Sequence, residues 1–419
     1  MSKIIKDKIK QVLVSEYSGL FTGNIINEEE LKKVILRILD NIGRNERVVI
    51  SEQDRNLVIS ELLNELVGFG PIDSLLKDPE ITEIMINGPK KIYIEKKGNM
   101  ELSSTIFEDE KQLTHLIHKI ISPTRRRVDE FSPYVDVALP DGSRVNIVIS
   151  PIALDGSALT IRKFMKSINT SDDLINRGTL DKRMNDFLIA CVKSKVNIIF
   201  CGATGSGKTT TLSAFANYIG AKERIITIED TAELHLPQEN VVRLESRSAT
   251  LEGKGEISIR DLFRNSLRMR PERIIVGEIR GGETLDMLQA ICSGHTGSMA
   301  ILHANSPLDA VYRMEMMILT SGLPISLEVI QRQIAAAINI IVQQEQMFDG
   351  SRKITHITQV NGLKDGQVVL EDLFRYEMEG ITPEGKVQGK WKATGVTPVF
   401  YKLFEKSGVS LAKEIFTKD

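Results

Sequence analysis

The segment Asn197–Thr211 reads NIIFCGATGSGKTTT, and it decides the fold of this chain. The spacing G-x-x-x-x-G-K-[ST] of a phosphate-binding loop falls on Gly202, Gly207, Lys208 and Thr209. An apolar run precedes the loop, and apolar residues at helical spacing follow it at Leu212, Phe215, Ala216 and Ile219. A glycine-rich turn with an incidental lysine would not need these flanks. The segment therefore predicts a strand, a loop and a helix that bind a nucleoside triphosphate.

The chemistry of this loop comes from its backbone and its side chains together. Glycines at positions 202, 205 and 207 let the backbone wrap closely, so that successive N–H groups converge on phosphate oxygens. Lys208 adds a cation, and the hydroxyl of Thr209 can reach Mg²⁺. The predicted cofactors are thus ATP and Mg²⁺. The residues predicted to bind the nucleotide are Gly202, Ala203, Thr204, Gly205, Ser206, Gly207, Lys208, Thr209 and Thr210.

The composition is that of an ordinary globular protein. At 419 residues the chain predicts two or three domains. Lysine and arginine number 54 against 56 acidic residues, a net charge of −2, which argues against a nucleic-acid or membrane-surface partner. The first residues contain no apolar core of a signal peptide, and no apolar run approaches the ~18 residues of a membrane span. These features predict a cytoplasmic protein whose membrane role works through partners.

Periodicity divides the chain into four predicted segments. Residues 1–67 read as an N-terminal helical segment, residues 68–165 as a smaller α+β domain, and residues 166–190 as a linker and an entry helix. Residues 191–419 alternate apolar strands and helices and end in a strand-rich part with hairpin signals, among them Asp349-Gly350 and Asp365-Gly366. The predicted fold class is α/β, with a mainly parallel sheet and its chemistry at the carboxyl ends of the strands.

Acidic residues end two of the predicted strands. Glu278 closes the apolar run Arg273–Val276 and Gly277, without the aspartate that usually precedes it. We expect Glu278 to polarise the attacking water. Glu229 ends the run from Ile225 and could serve the metal ion or the water. The alternative for Glu278 is a surface glutamate that closes a strand, and Asp230 could simply cap a turn.

Histidines and arginines complete the candidate catalytic set. His295 and His303 flank a short predicted strand beside the loop, where a neutral imidazole could donate to a phosphate oxygen or relay the nucleotide state to the next subunit. Arg144 and Arg162 lie on separate predicted strands upstream and could neutralise transition-state charge. Structural histidines and solvated strand-face arginines are the alternatives.

Two longer blocks give a resemblance to a known family. SLRMRPERIIVGEIRGGETLDMLQA (Ser266–Ala290) and SGHTGSMAILHANSPLDAVYR (Ser293–Arg313) resemble the ATPases of the type II/type IV secretion and pilus-assembly superfamily. The resemblance continues upstream in Gly68–Gly88 and Phe131–Pro151. It is strongest to the CpaF-like branch, which powers tight-adherence (Flp) pili. Three scattered cysteines cannot build the four-cysteine zinc site of some type II relatives, which favours that branch.

This resemblance implies both an architecture and roles. It implies a RecA-like core in a two-lobed subunit, a homo-hexameric ring with ATP between the lobes, and docking on a polytopic inner-membrane platform protein. The acidic box of the family maps onto Ile226–Glu233, its atypical Walker B motif onto Ile274–Glu278, and its histidine box onto Gly294–His303. The arginines that approach the nucleotide map onto Arg144 and Arg162.

Two rival functions remain open from the sequence. A hexameric nucleic-acid translocase also combines phosphate loops with arginine fingers, but it should carry basic, aromatic surfaces, whereas this chain is charge-balanced with 5% aromatic residues. A nucleotide-sensing adaptor without turnover would not need Lys208, Glu229 and Glu278 together. An ATPase assay with and without single-stranded DNA separates the three functions.

Overall fold

The computed structural model describes residues 2–17, 28–46, 51–66, 68–96, 98–124, 126–164, 170–247 and 255–418. The first residues of the predicted linker, 166–169, lie outside these ranges. The chain divides into two compact units. The first unit draws on Met1–Leu139 and Ser143–Lys163, and the second on Pro140–Gly142 and Phe164–Asp419. None of the helices among the described residues is long and apolar enough to cross a bilayer.

The first unit begins with three helices, α1 (Ser2–Glu16), α2 (Glu28–Glu46) and α3 (Glu52–Leu66). Each helix buries an apolar stripe with helical spacing. The stripes meet in a small core of their own, formed by Ile5, Ile9, Leu13, Leu31, Val34, Ile35, Ile38, Leu39, Val58, Ile59 and Leu62.

A six-stranded antiparallel sheet follows in the first unit. Its strands are β1 (Ile81–Asn87), β2 (Ile92–Lys96), β3 (Asn99–Leu102), β4 (Tyr134–Ala138), β5 (Arg144–Val148) and β6 (Ala158–Arg162), in the order β3-β2-β1-β6-β5-β4. The accompanying helices are α4 (Asp73–Lys77) and α5 (Glu110–Ile121). Alternate residues such as Val145, Ile147, Leu159 and Ile161 pack with the apolar face of α5. The other set of alternate residues on β5 and β6 includes Arg144 and Arg162.

The second unit alternates strands and helices around a nine-stranded sheet. Its elements in chain order are α6 (Ser171–Asn176), α7 (Lys182–Lys193), β7 (Ile198–Gly202), α8 (Lys208–Ala216), β8 (Ile225–Glu229), β9 (Val241–Glu245), α9 (Ile259–Ser266), β10 (Arg273–Val276), α10 (Glu283–Cys292), β11 (Met299–His303), α11 (Pro307–Leu319), α12 (Leu327–Ala337), β12 (Ile340–Gln346), β13 (Arg352–Lys364), β14 (Gln367–Ile381), β15 (Val387–Ala393) and α13 (Lys402–Lys406).

The order of this second sheet is β15-β14-β13-β12-β7-β11-β10-β8-β9. The six strands from β12 to β9 run parallel, and β13, β14 and β15 extend the sheet as antiparallel hairpins. The predicted α/β class with a mainly parallel sheet is confirmed, as are the preceding α+β sheet and the N-terminal helices.

The central strands of the second sheet are buried on both faces, as is typical of parallel sheets. On β7, Ile198 and Phe200 join the core formed with α7 and α8, whereas Ile199 and Cys201 join the core formed with α10, α11 and α12. The carboxyl ends of β7, β11, β10 and β8 consequently lie along one edge. We refer to this side of the sheet as the carboxyl edge.

Candidate nucleotide site

The phosphate loop, residues 202–209, leaves β7 at the carboxyl edge and enters α8. Gly205 and Gly207 adopt φ angles of +78° and +96°, a region that favours glycine. Gly207 is the N-cap of α8, so the backbone turns sharply and leaves the first N–H groups of the helix directed into the loop. This is the geometry that cradles phosphate oxygens.

Strand β12 and the start of β13 pass directly behind the phosphate loop. A Cβ atom at Gly202 would collide with the carbonyl oxygen of Gln344, and one at Gly207 would lie 3.0 Å from the side chains of Gln344 and Arg352. Thr211 donates a hydrogen bond of 2.8 Å to Oε1 of Gln344, and Nε of Arg352 donates one of 2.9 Å to the carbonyl of Gly205. Gln344 on β12 and Arg352 on β13 thus stabilise the phosphate loop. Neither residue was predicted from the sequence to belong to the site.

Lys208 is buried at the first position of α8. Its side chain curls back over the loop, and Nζ donates a hydrogen bond of 2.7 Å to the carbonyl of Ala203. Only 6% of the residue is exposed, so the ammonium group lies inside the curve of the phosphate loop. If a phosphate anion bound there, the ammonium group of Lys208 could donate to a charged phosphate oxygen in place of the neutral carbonyl of Ala203.

Glu278 lies just beyond β10, with its carboxylate held on both sides. Oε2 accepts a hydrogen bond of 2.7 Å from Arg280, and Oε1 lies 3.3 Å from Nε2 of His303. Partial burial raises the pKa of Glu278, but the hydrogen bond from Arg280 and the charges of Arg280 and Lys208 outweigh it, and the net pKa is lowered. Glu278 is therefore ionised at neutral pH.

His303 ends β11 and is the register partner of Gly202 on β7. Burial lowers the pKa of His303, and the nearby charge of Lys208 lowers it further. The imidazole is thus mainly neutral at pH 7, so its 3.3 Å approach to Glu278 is not an ion pair between two charged groups. The structure brings His303, Glu278 and Lys208 together at the carboxyl edge.

Glu229 lies at the end of β8 and is almost completely buried. Oε1 accepts hydrogen bonds of 2.9 and 3.0 Å from the backbone N–H groups of Glu233 and Leu234. Among the described residues, its Oε2 is one of the few buried side-chain oxygens without a hydrogen-bond partner. Burial raises the pKa of Glu229 to about 7, despite the two backbone hydrogen bonds that lower it.

The packing around Gly277 explains why position 277, just before Glu278, does not hold an aspartate. A Cβ atom at position 277 would lie 2.8 Å from Cγ and 3.3 Å from Cβ of Glu229. The two positions face each other because β8 and β10 are parallel neighbours, with Val276 opposite Ile228. The side chain of Glu229 therefore occupies the space that an aspartate at position 277 would need.

The residues predicted to hold Mg²⁺ are Thr209 and Glu229. Thr209 lies in the first turn of α8, whereas β8 is three strand spacings from β7, about 14 Å at about 4.8 Å each. The orphaned Oε2 of Glu229 is a suitable acceptor for a metal-bound water. Because Mg²⁺ takes oxygen ligands and retains several of its waters, the hydroxyl of Thr209 and the carboxylate of Glu229 have suitable chemistry. The distance between their strands leaves a joint role in holding the ion as a prediction.

His295 lies away from this cluster. It precedes β11, whereas His303 ends it, so the two histidines are at opposite edges of the sheet. The backbone N–H of His295 donates a hydrogen bond of 3.0 Å to the carbonyl of Ala290, and Nδ1 lies 3.2 Å from the same oxygen. Within one chain this differs from the prediction that placed both histidines beside the loop. A nucleotide role for His295 would need a neighbouring subunit, and it stays a prediction.

Arg144 and Arg162 are direct cross-strand partners in the first unit, on β5 and β6. Arg162 also faces Glu83 on β1, with 3.8 Å between Nε and Oε1. Burial raises the pKa of Glu83, and the charge of Arg162 opposes that effect. The structure therefore brings the two arginines together in one row. Their action on a nucleotide stays a prediction.

Two charged residues at the carboxyl edge were not selected from the sequence. Arg280 contacts both Glu278 and Asp230, and Asp230 also accepts a hydrogen bond of 3.0 Å from Ser246. The signal was present in the run Glu278-Ile279-Arg280, where an acid and a base leave a strand end two residues apart. Asp230, considered earlier as a turn cap, instead faces an arginine.

Comparison with known proteins agrees with this geometry. Residues 65–363 match the sequence profile of the family described as "Type II/IV secretion system protein". A putative conjugal transfer protein of Mycobacterium tuberculosis is 30% identical over 336 residues, which cover 75% of this chain and 95% of that protein. Protein VirB11 of Agrobacterium fabrum is 32% identical over 305 residues, covering 65% of this chain and 87% of that protein.

Among solved structures, the VirB11 ATPase from the Brucella suis type IV secretion system is similar at 28% sequence identity and a TM-score of 0.39. The match covers 69% of this chain and 95% of that one. The family profile spans more than half of the chain and includes the phosphate loop, Glu229, Glu278 and His303. The chain therefore belongs to the type II/IV secretion system protein family, and it is an ATPase.

Proposed function

We propose that this protein hydrolyses ATP with Mg²⁺ to power a type IV pilus of the Flp (tight-adherence) kind or a type II secretion-like system. The observation that carries this proposal is the cluster of Lys208, Glu278 and His303 at the carboxyl edge. The protein works as a homo-hexameric ring in the cytoplasm and docks on a polytopic platform protein at the inner face of the membrane. No nucleic acid takes part.

Binding begins at the phosphate loop. The N–H groups of the loop and of the first turn of α8 receive the phosphates, and Nζ of Lys208 moves from the carbonyl of Ala203 to a phosphate oxygen. The hydroxyl of Thr209 would contact Mg²⁺. When bound, this ion neutralises phosphate charge.

The two carboxylates have separate roles because their environments push their pKa values apart. Glu278 has a lowered pKa and is ionised, so it can orient and polarise the attacking water. Glu229 has a pKa of about 7 and can hold a proton near neutral pH. The imidazole of His303, mainly neutral, lies 3.3 Å from one oxygen of Glu278.

Domain organisation belongs to the same proposal. The N-terminal helical segment (1–67) and the α+β domain (68–165) form one lobe, and the ATPase core (191–419) forms the other. Within the predicted linker (166–190), α6 and most of α7 pack into the core of the second unit and are counted with that lobe. Arg144 and Arg162 approach the phosphates when the lobes close, from the same or a neighbouring subunit. Closure and opening then transmit work to the platform protein.

Arg144→Ala and Arg162→Ala should depress hydrolysis more than nucleotide binding. Guanidinium groups that arrive on closure act mainly on transition-state charge, so we expect kcat to fall on the order of 100-fold with little change in nucleotide affinity. Steady-state phosphate release and titration with a fluorescent nucleotide measure the two quantities. Thr160→Ala is the matched control, because Thr160 lies two residues before Arg162 on the same face of β6.

Mixed rings decide whether the arginines act across the subunit interface. Lys208→Ala subunits should restore turnover to arginine-variant subunits only if the arginines act in trans, since an interface that combines the phosphate loop of an arginine variant with the arginines of a Lys208→Ala subunit then forms one intact site. Unchanged hydrolysis in both arginine variants, with the ring intact on a sizing column, would leave them as ordinary strand arginines.

The function itself is tested with purified protein. We expect Mg²⁺-dependent ATP hydrolysis by a species of hexameric mass in light scattering, and stimulation by vesicles that contain the platform protein of the same pilus or secretion system. Empty vesicles and single-stranded DNA are the controls and should leave the rate unchanged. Stimulation by DNA but not by the platform protein would favour the translocase instead.

A further inference from the structure

Arg280 joins two strand ends at the carboxyl edge. Its Nη2 lies 2.7 Å from Oε2 of Glu278, and its Nη1 lies 3.3 Å from Oδ2 of Asp230. Glu278 follows β10, and Asp230 follows β8, which is the parallel neighbour of β10. One guanidinium group therefore bridges the carboxylates that follow two adjacent strands, and it uses a different nitrogen for each.

The backbone that carries Arg280 is firmly anchored. Its own N–H and that of Gly281 donate hydrogen bonds of 2.6 and 2.7 Å to Oε1 of Glu283, which is 8% exposed. The preceding residue, Ile279, is fully buried and donates its N–H to the carbonyl of Ile301 on β11 at 2.9 Å. The guanidinium group thus extends from a fixed point next to β10 and β11.

The carboxylate of Glu278 has two neighbours that fix its orientation. Arg280 holds Oε2, and His303 lies beside Oε1. If Arg280 were removed, Oε2 would lose its charged donor, and the carboxylate could rotate about its remaining contact with His303. An ion pair of this kind adds little to stability, because 63% of the arginine side chain is exposed. We therefore expect the ion pair to affect the orientation of the Glu278 carboxylate rather than the stability of the fold.

We propose that Arg280 is a positioning residue for ATP hydrolysis: it holds the carboxylate of Glu278 in the orientation that polarises the attacking water, and it links Glu278 to Asp230. The inference rests on the proposed function, in which Glu278 performs this task. Because Arg280 also pairs with Asp230, the carboxylate of Glu278 is connected through the guanidinium group to the end of β8. Groups at the ends of both β8 and β10 therefore fix its orientation.

Arg280→Gln should lower kcat on the order of 10- to 100-fold, because a misplaced catalytic group costs rate rather than affinity. We expect KM, nucleotide affinity and melting temperature to stay near the wild-type values. Arg280→Lys should recover part of the rate, since an ammonium group can still pair with Glu278 but cannot bridge two carboxylates with separate nitrogens. Arg264→Ala is the matched control, because Arg264 is also an exposed arginine, 3.1 Å from the carboxylate of Asp286.

A double-mutant cycle tests the bridge. Asp230→Asn should lower kcat by a smaller factor than Arg280→Gln, and the double variant should be no slower than Arg280→Gln alone. Wild-type kcat in Arg280→Gln would overturn the inference, as would a rise in KM with kcat unchanged or a loss of melting temperature that accounts for the lower rate. If Glu278→Gln hydrolyses ATP normally, the proposed role of Glu278 fails. If Glu278→Gln is inactive and Arg280→Gln is normal, only the present inference fails.

Discussion

Lys208→Ala is expected to lower ATP turnover by roughly 100-fold or more, because it removes the cation that, in the proposed function, faces the β- and γ-phosphates. The Nζ of Lys208 is buried within the phosphate loop and bonds to the carbonyl of Ala203, an acceptor that a bound phosphate would replace. The alanine variant would keep the backbone N–H groups of the loop but lose the positively charged ammonium group that acts together with them. Nucleotide affinity should fall together with turnover.

The measurement is phosphate release at saturating ATP and Mg²⁺, beside titration with a fluorescent nucleotide. Lys182→Ala provides a control of equal size, because Lys182 is an exposed lysine that pairs with Asp186, 2.6 Å away. Near-wild-type hydrolysis in Lys208→Ala would remove the phosphate loop from the catalytic site. If Lys208→Ala shows no cooperative melting transition, the measurement is repeated with Lys208→Met, because methionine preserves the buried stem of the side chain.

Glu278→Gln should bind ATP with near-normal affinity and hydrolyse it on the order of 100 to 10,000 times more slowly. The amide keeps the shape of the side chain and can still contact water, but it cannot polarise that water as a base. In the wild type, the net lowering of its pKa ensures that Glu278 carries the negative charge required. Nucleotide affinity and steady-state turnover must be measured on the same preparation.

A parallel fall in affinity and turnover would make Glu278 mainly a metal ligand. Glu229→Gln is the companion variant, with slow turnover and a larger rise in the Mg²⁺ concentration needed for half-maximal rate. The contrast between the two variants tests the proposed division of roles, in which Glu278 polarises water and Glu229 faces the waters of the metal ion.

The phosphate loop and the ends of β8 and β10 could be predicted because their signals are local. The motif, the apolar runs and the acids that follow them lie within a few residues of each other along the chain. The turns Asp349-Gly350 and Asp365-Gly366 were predicted as hairpins in the same way, and the structure has β12–β13 and β13–β14 hairpins there. Local turn chemistry was enough in both cases.

Long-range neighbours could not be predicted from the same signals. Gln344 and Arg352 contact the phosphate loop although they lie more than 130 residues beyond it along the chain. The register that pairs Arg144 with Arg162 is likewise a property of the assembled sheet, since the sequence shows only two separate strands. Neither relation leaves a periodic trace in the sequence.

The placement of His295 shows a different limit. His295 and His303 are eight positions apart and flank one strand, and proximity in sequence suggested a shared site. A strand rises by about 3.3 Å per residue, so the five residues of β11 carry the chain from one edge of the sheet to the other. Strand direction could have separated the two histidines before the structure was known.

The close approach of Gly277 to Glu229 makes these two positions mutually exclusive. The usual P-loop arrangement, with an aspartate immediately before the glutamate of β10, needs a side chain where Glu229 already packs. Gly277→Asp alone would crowd the site, and shortening residue 229 alone would leave a void beside a bare glycine. Conversion between the two arrangements therefore requires paired changes on β8 and β10, and each single step passes through a damaged site. No single substitution can therefore replace Glu229 on β8 by an aspartate at position 277 and keep the site intact.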